Sequence, residues 1–120
     1  MVADYICQGA LTFWGEDAQL DMVIEEMAEL TKALLKYKRA APEDKGVYMN
    51  FVAEEHADVE IMLAQLYFIM CKYSDMKYHG DKIKYRDEKI SRLASRLDQA
   101  ETKRCMKLKD ISVGNSGGNR

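Results

Sequence analysis

Apolar residues recur at helical spacing over most of this chain, and runs that alternate strictly between apolar and polar residues are missing throughout. The single proline, Pro42, lies between two long segments of this kind. Proline and glycine are the strongest local signals for the interruption of a helix. The sequence therefore predicts an all-α protein.

The first long helix is predicted to begin near Gly15 or Glu16 and to end at about Arg39, because acidic residues favour a first helical turn and basic residues a last one. Its apolar stripe is expected to face the core. The stripe consists of Leu20, Val23, Ile24, Met27, Leu30, Leu34 and Leu35.

A connection at residues 40–45 leads to a second long helix, predicted to start within 46–49 and to reach about Tyr73. Its expected core residues are Phe51, Val52, Val59, Met62, Leu63, Leu66, Ile69 and Met70. A break at 78–81, marked by Gly80, precedes a third helix to roughly Lys103. Its core positions are Ile83, Ile90, Leu93 and Leu97, and a short helix is expected at 3–11.

The chain has 120 residues, 48% of them hydrophobic, which suits one compact domain and leaves no room for a second. We expect a single helical domain at residues 1–110 and a disordered tail at 111–120, since the segment VGNSGGNR has nothing to bury. Three long helices with wide apolar faces in so short a chain favour a homodimer at least.

The charge and cysteine content exclude several classes of function. With 18 basic and 20 acidic residues, the net charge of −2 gives no overall attraction to nucleic acid. Three scattered cysteines without CxxC spacing fit reduced thiols better than disulfides. No export signal and no long apolar run is visible, so we expect a cytoplasmic protein with no membrane partner.

Two acidic pairs share the same internal spacing: Glu26 with Glu29, and Glu55 with Asp58. Residues three positions apart project from one side of a helix, so the two side chains of each pair can bind the same cation. Four converging carboxylates would repel one another by roughly 3 kcal/mol per pair at about 5 Å and an effective dielectric near 20. A hard divalent ion such as Mg²⁺ removes this repulsion and prefers oxygen ligands.

The two pairs differ in their placement. Glu55 and Asp58 fall on the apolar face of the second helix, where unpaired charge is costly. Glu26 and Glu29 lie on the flank of the first helix's stripe, where they can line a groove. The alternative for either pair is an ordinary solvated helix face.

A di-iron carboxylate bundle is a second possible metal site, but it requires Glu-x-x-His on its helices. His56 directly follows Glu55, and His79 lies in a predicted loop. We therefore expect both histidines to be structural or exposed, and an oxygen-only site that takes Mg²⁺ or Mn²⁺.

The motif EExxE at Glu25, Glu26 and Glu29, followed by ExxD at Glu55 and Asp58, resembles the MazG-like nucleoside triphosphate pyrophosphohydrolases. The segments WGEDAQL, ADVEIMLAQL and KISRLASRL extend the likeness over about residues 12–97, to the small single-domain proteins of this kind in phages and bacteria.

The resemblance implies a four-helix-bundle-like fold of the all-α NTP pyrophosphatase superfamily, completed by assembly into homodimers or homotetramers. It also implies Mg²⁺-dependent hydrolysis of nucleoside triphosphates to monophosphate and pyrophosphate, in the host cytoplasm if a phage encodes the chain. The implied metal ligands are Glu26, Glu29, Glu55 and Asp58.

Further roles follow from this resemblance. Glu25 and Glu54 stand next to the ligands and are candidates for orienting the attacking water. The chain has no P-loop, so phosphate contacts are expected from a basic stripe on the third helix, with Lys89 and Arg92 preferred. This basic stripe consists of Lys82, Arg86, Lys89, Arg92 and Arg96. The alternatives are that this stripe is a solvated face, or that lysines 32, 36 and 38 serve instead.

Trp14, the only tryptophan, is the candidate for stacking on the base, with a core anchor as the alternative. Phe13, Tyr37 and Tyr48 are further candidates. A non-catalytic helical module, for nucleotide binding or for oligomerisation, is the alternative to an enzyme.

Overall fold

A computed structural model describes residues 2–73 and 77–116, and this part of the chain is helical with no strand. Its helices are α1 (Val2–Trp14), α2 (Glu16–Arg39), α3 (Lys45–Cys71) and α4 (Lys77–Ser116), with a short 3₁₀ turn at Pro42–Asp44. The all-α prediction is confirmed. No helix of the described segments is long and apolar enough to cross a membrane.

The chain forms two compact units, Met1–His79 and Gly80–Arg120. In the first unit α2 packs along α3, and α1 contacts both of them. The described residues of the second unit all belong to α4. That residues 1–110 act as one domain stays a prediction.

Gly15 separates α1 from α2 and has a φ of 91° and a ψ of 160°, a conformation open essentially to glycine alone. Its N–H donates to the carbonyl of Leu11 at 3.0 Å, and its own carbonyl accepts from the N–H of Gln19 at 3.2 Å. The turn at Gly15 therefore joins two helices with little loss of backbone hydrogen bonding. The predicted bounds of α2 are confirmed.

Two predicted helix limits on α4 are wrong. The helix runs through Gly80 without a break, since one glycine costs only about 1 kcal/mol relative to alanine in a helix. It also continues past Lys103 to Ser116, because Cys105 to Lys109 include the good helix formers Met, Lys and Leu. Of the predicted tail, residues 111–116 lie within this helix, and 117–120 lie outside the described residues.

The face that α2 buries agrees only in part with its predicted stripe, of which Val23 is buried and Leu20 and Leu30 are half-buried. Gln19, Val23 and Ala33 are buried, while Ile24 and Met27 are 67% and 52% exposed. The inward positions follow alternating steps of four and three residues, the spacing of a seam between two packed helices. They are Gln19, Val23, Glu26, Leu30, Ala33 and Tyr37.

The seam of α3 agrees better with its prediction. Met62 and Ile69 are buried, and Val52, Val59, Leu66 and Met70 are half-buried, whereas Phe51 and Leu63 are exposed. The predicted core residues of α4 are also exposed. The apolar arcs of these helices are wider than the contact that one neighbouring helix within the chain can cover.

Candidate metal centre

Three carboxylates converge where α2 packs along α3. One side-chain oxygen from each of Glu26, Glu55 and Asp58 lies within 4.8 Å of the others. Glu55 and Asp58 are three residues apart on α3, so both reach the same side of that helix. Glu26 reaches them from the facing helix, because it occupies an inward position of α2.

The three acids lie among mostly apolar residues of the contact between α2 and α3. On α2, Glu26 takes the inward position between Val23 and Leu30, and on α3, Glu55 takes the position between Val52 and Val59. Both glutamates are half-buried. A charged group at such a position destabilises the helix pair unless an opposite charge compensates it.

Two carboxylates of the cluster have raised pKa values. The pKa of Glu26 is raised above 4.5, first by burial and then by the charges of Asp58, Glu55, Glu25 and Glu29. The pKa of Glu55 is raised in the same way, first by burial and then by Asp58, Glu29 and Glu54. Among the described residues, no lysine or arginine forms an ion pair with the three clustered carboxylates.

This donor set fits a hard divalent cation. Oxygens that share one Mg²⁺ at about 2.1 Å lie no more than about 4.2 Å apart, so small changes in side-chain torsion suffice to bring the three groups onto one ion. An all-carboxylate set from two helices favours Mg²⁺ or Mn²⁺ over zinc or iron. The two pKa values are raised first by burial and then by repulsion, and the positive charge of such an ion would oppose both effects.

Glu29, the fourth predicted ligand, lies outside the three-carboxylate cluster. Its Oε1 accepts a hydrogen bond from Lys32 Nζ at 3.1 Å, one turn further along α2. Its charge nevertheless contributes to the raised pKa of Glu26 and of Glu55, which places Glu29 close to the cluster. The structure thus brings together three of the four predicted ligands and leaves the fourth beside them in an exposed ion pair.

Glu25 and Glu54, the candidates for orienting water, are exposed neighbours of the cluster. Each raises the pKa of the ligand candidate next to it in the chain, Glu25 that of Glu26 and Glu54 that of Glu55. Consecutive residues on a helix point about 100° apart. Their role stays a prediction.

Neither histidine joins the cluster in the described part of the chain. His56 Nδ1 lies 3.8 Å from Glu60 Oε1 on the exposed side of α3. His79 packs its ring edge-on against Tyr67, with 4.9 Å between ring centroids. Its Nδ1 is buried and has no hydrogen-bond partner.

The two phosphate-binding candidates lie on α4, in the second unit. Lys89 and Arg92 line a shallow cavity of 320 Å³ together with Leu93 and Arg96. The basic stripe is therefore accessible and positively charged, which phosphate binding requires. The assignment of these residues stays a prediction.

Trp14 is the last residue of α1 and is 62% exposed, so the alternative that it anchors the core is wrong. Its ring meets that of Phe13 edge-on at 5.1 Å. It lines a cavity of 330 Å³ with Ala18, Gln19 and Met22. Ala18 and Met22 are four residues apart on α2 and so lie on one side of that helix, but the break at Gly15 removes any helical spacing that would connect them to Trp14 in the sequence.

No protein-family model matches this chain, and neither a curated protein nor a solved structure matches it. The likeness to MazG-like proteins therefore depends on the acidic motifs and their surroundings alone.

Proposed function

We propose that this protein is a Mg²⁺-dependent nucleoside triphosphate pyrophosphohydrolase of the MazG-like kind, which converts a ribo- or deoxyribonucleoside triphosphate to the monophosphate and pyrophosphate. The observation that supports this proposal is the convergence of Glu26, Glu55 and Asp58 within 4.8 Å on two packed helices. Clustered acids without a basic partner are suited to a cation that a polyphosphate also binds.

In the proposed reaction, water attacks the α-phosphorus, the bond to the bridging oxygen of the β-phosphate breaks, and pyrophosphate leaves. Glu26, Glu55 and Asp58 would hold the cation, and a neighbouring acid accepts the proton of the water, with Glu25 and Glu54 as candidates. When bound, Mg²⁺ supplies charge neutralisation at the phosphates and lowers the pKa of a coordinated water. Mn²⁺ offers the same chemistry.

The remaining parts of the proposal concern the substrate and the assembly. Lys89 and Arg92 are proposed to contact phosphate oxygens, and Trp14 to stack on the base, since its exposed ring borders a cavity. The fold is proposed to be that of the all-α NTP pyrophosphatases, completed as a homodimer or homotetramer. The apolar side chains that α2 and α3 leave exposed support such an assembly.

The test is release of pyrophosphate from a panel of nucleoside triphosphates, with Mg²⁺ and with a chelator. Asp58→Asn should lower the rate by about 100-fold or more, since metal-held charge stabilisation contributes several kcal/mol to such reactions. The matched control is Glu60→Gln, which removes a charge from the same helix outside the cluster. Equal loss in both variants, or full activity in Asp58→Asn, would refute this site.

A second measurement separates catalysis from binding. Calorimetric titration of the protein with a non-hydrolysable triphosphate and Mg²⁺ reports binding alone. Binding without pyrophosphate release by any triphosphate of the panel would replace the enzyme with a non-catalytic nucleotide-binding module.

A further inference from the structure

Helix α4 carries an apolar seam that the described residues leave exposed. Between Ile83 and Ala100 the apolar side chains keep the three- and four-residue steps of a heptad repeat, with an interruption only at Arg86. The large members of this seam are 47–59% exposed. They are Ile83, Ile90, Leu93 and Leu97.

The charges beside this seam differ in sign between its two flanks. On one flank the heptad positions are basic, and they are Lys82, Lys89, Arg96 and Lys103. On the other flank the charged positions are acidic, Asp87 and Glu101, with Ala94 between them. Charges at these positions set the partner and the orientation in coiled coils.

This arrangement of charge is self-complementary in one orientation. In a parallel, in-register pair of α4 helices, Arg96 of one copy faces Glu101 of the other, and Lys82 faces Asp87, each of them twice by symmetry. In an antiparallel pair the basic flanks of the two helices would face each other and repel. The charge pattern thus identifies the occupant as a second copy in parallel orientation.

The side chains of the seam also favour two strands. The first core position of successive heptads holds Ile83, Ile90 and Leu97, and the fourth holds Arg86, Leu93 and Ala100. The pairing of Ile90 at the first position with Leu93 at the fourth is typical of parallel dimers. At 1.5 Å per residue the 40 residues of α4 extend over about 60 Å. A helix of this length gains most of its stability from packing of its apolar face.

We propose that α4 pairs with α4 of a second copy as a parallel, in-register, two-stranded coiled coil centred on residues 83–100. The inference uses only α4 and does not depend on the proposed hydrolase activity.

Sedimentation velocity on the full chain tests the seam. Wild-type protein should be dimeric at micromolar concentration, and Leu93→Asp should raise the dissociation constant by about 100-fold or more, since it places a charge in the core of the pair. Ser95→Asp is the control, because it adds the same charge on the outer side of the helix and should leave association unchanged. Circular dichroism should show full helical content in Ser95→Asp, and in Leu93→Asp a loss no greater than the share of α4, because unpaired α4 loses the packing that stabilises it.

Charge exchange tests the orientation. Arg96→Glu should weaken association by about tenfold, and the double variant Arg96→Glu with Glu101→Arg should restore it, because the exchanged pair is again complementary only in a parallel, in-register dimer. A monomeric wild-type chain, a dimer that tolerates Leu93→Asp, or a failure of the double variant to recover would each overturn the proposal.

Discussion

At the scale of single residues, the turn between α1 and α2 depends on Gly15. Its positive φ lies in a region that side chains with a Cβ rarely adopt. A Cβ added there would meet no atom within 4 Å, so the cost of a substitution comes from the backbone alone.

Gly15→Ala should therefore lower the free energy of unfolding by about 1–3 kcal/mol, the cost of a residue held in a sparsely populated conformation. Gly9→Ala is the control: Gly9 lies inside α1 with open space around it, and the change should stabilise the helix by roughly 0.5–1 kcal/mol. Urea denaturation of the two variants measures both effects. Equal effects of the same sign would contradict this account of Gly15.

The acidic cluster also has an effect that can be measured on a single residue, Glu55. The pKa of Glu55 is raised above 4.5 in the folded chain, first by burial and then by neighbouring charges, so the folded state binds protons more readily than the unfolded state. Stability linked to this group is therefore present at low pH and is lost as the pH rises from 4.5 through the folded pKa.

Without divalent ions, Glu55→Gln should consequently be more stable than wild type at pH 7, and its advantage should shrink as the pH is lowered toward 4.5. Thermal melts across this pH range in the presence of a chelator measure the difference. Glu60→Gln, outside the cluster on the same helix, should show no such gain. A Glu55→Gln variant that is less stable than wild type at neutral pH would show that Glu55 has a compensating partner.

At the scale of helices, the end of α2 is held by a lysine from the start of α3. Lys45 Nζ donates to the carbonyl of Tyr37 at 2.9 Å and lies 4.5 Å from the centroid of the Tyr37 ring. The same carbonyl also accepts from the N–H of Ala40 at 3.2 Å, so Lys45 adds a second hydrogen bond there and places positive charge at the negative end of the helix dipole.

Lys45→Met keeps much of the side chain's length and removes the charge and the donor. It should lower the free energy of unfolding by about 1 kcal/mol, the sum of a modest cation–π contact and a hydrogen bond to a terminal carbonyl. Lys38→Met, an exposed lysine in the last turn of α2, should cost less. Chemical denaturation of both variants decides whether the specific contacts or the positive charge alone stabilise this helix end.

The sequence predicts the ends of α2 because the signals there are local: a glycine before the helix and a proline after it. It predicts only part of the face that α2 buries, because α3 selects that face, and Ile24 and Met27 lie on an arc that α3 does not reach. The three-residue spacing of the acidic pairs on both helices does predict that Glu26 lies close to Glu55 and Asp58. The sequence does not predict the position of the Glu29 carboxylate, because this group forms an ion pair with Lys32, one turn away on the same helix.

At the scale of the whole molecule, the three clustered carboxylates lie between the two helices that form the principal packing contact of the first unit. A cation bound there would join α2 to α3 and act as a ligand of the folded state alone. Ligand binding of this kind stabilises the folded state by mass action.

Mg²⁺ should therefore raise the unfolding temperature of the wild-type protein, by the equivalent of about 1.4 kcal/mol when its concentration is ten times the dissociation constant. A chelator should reverse the shift, and Asp58→Asn should abolish it while Glu60→Gln preserves it. Differential scanning fluorimetry at several Mg²⁺ concentrations gives the comparison. A shift that persists in Asp58→Asn would mean that the ion binds elsewhere.

The position of the acids inside the helix pair has a consequence for the lifetime of the chain in a cell. With the proposed ion bound, separation of α2 from α3 requires its release, so proteases would reach the interior of the first unit less often when magnesium is plentiful. When magnesium is scarce, repulsion among the acids would favour opening and degradation would accelerate. The abundance of the protein would then follow the supply of the ion on which its chemistry is proposed to depend.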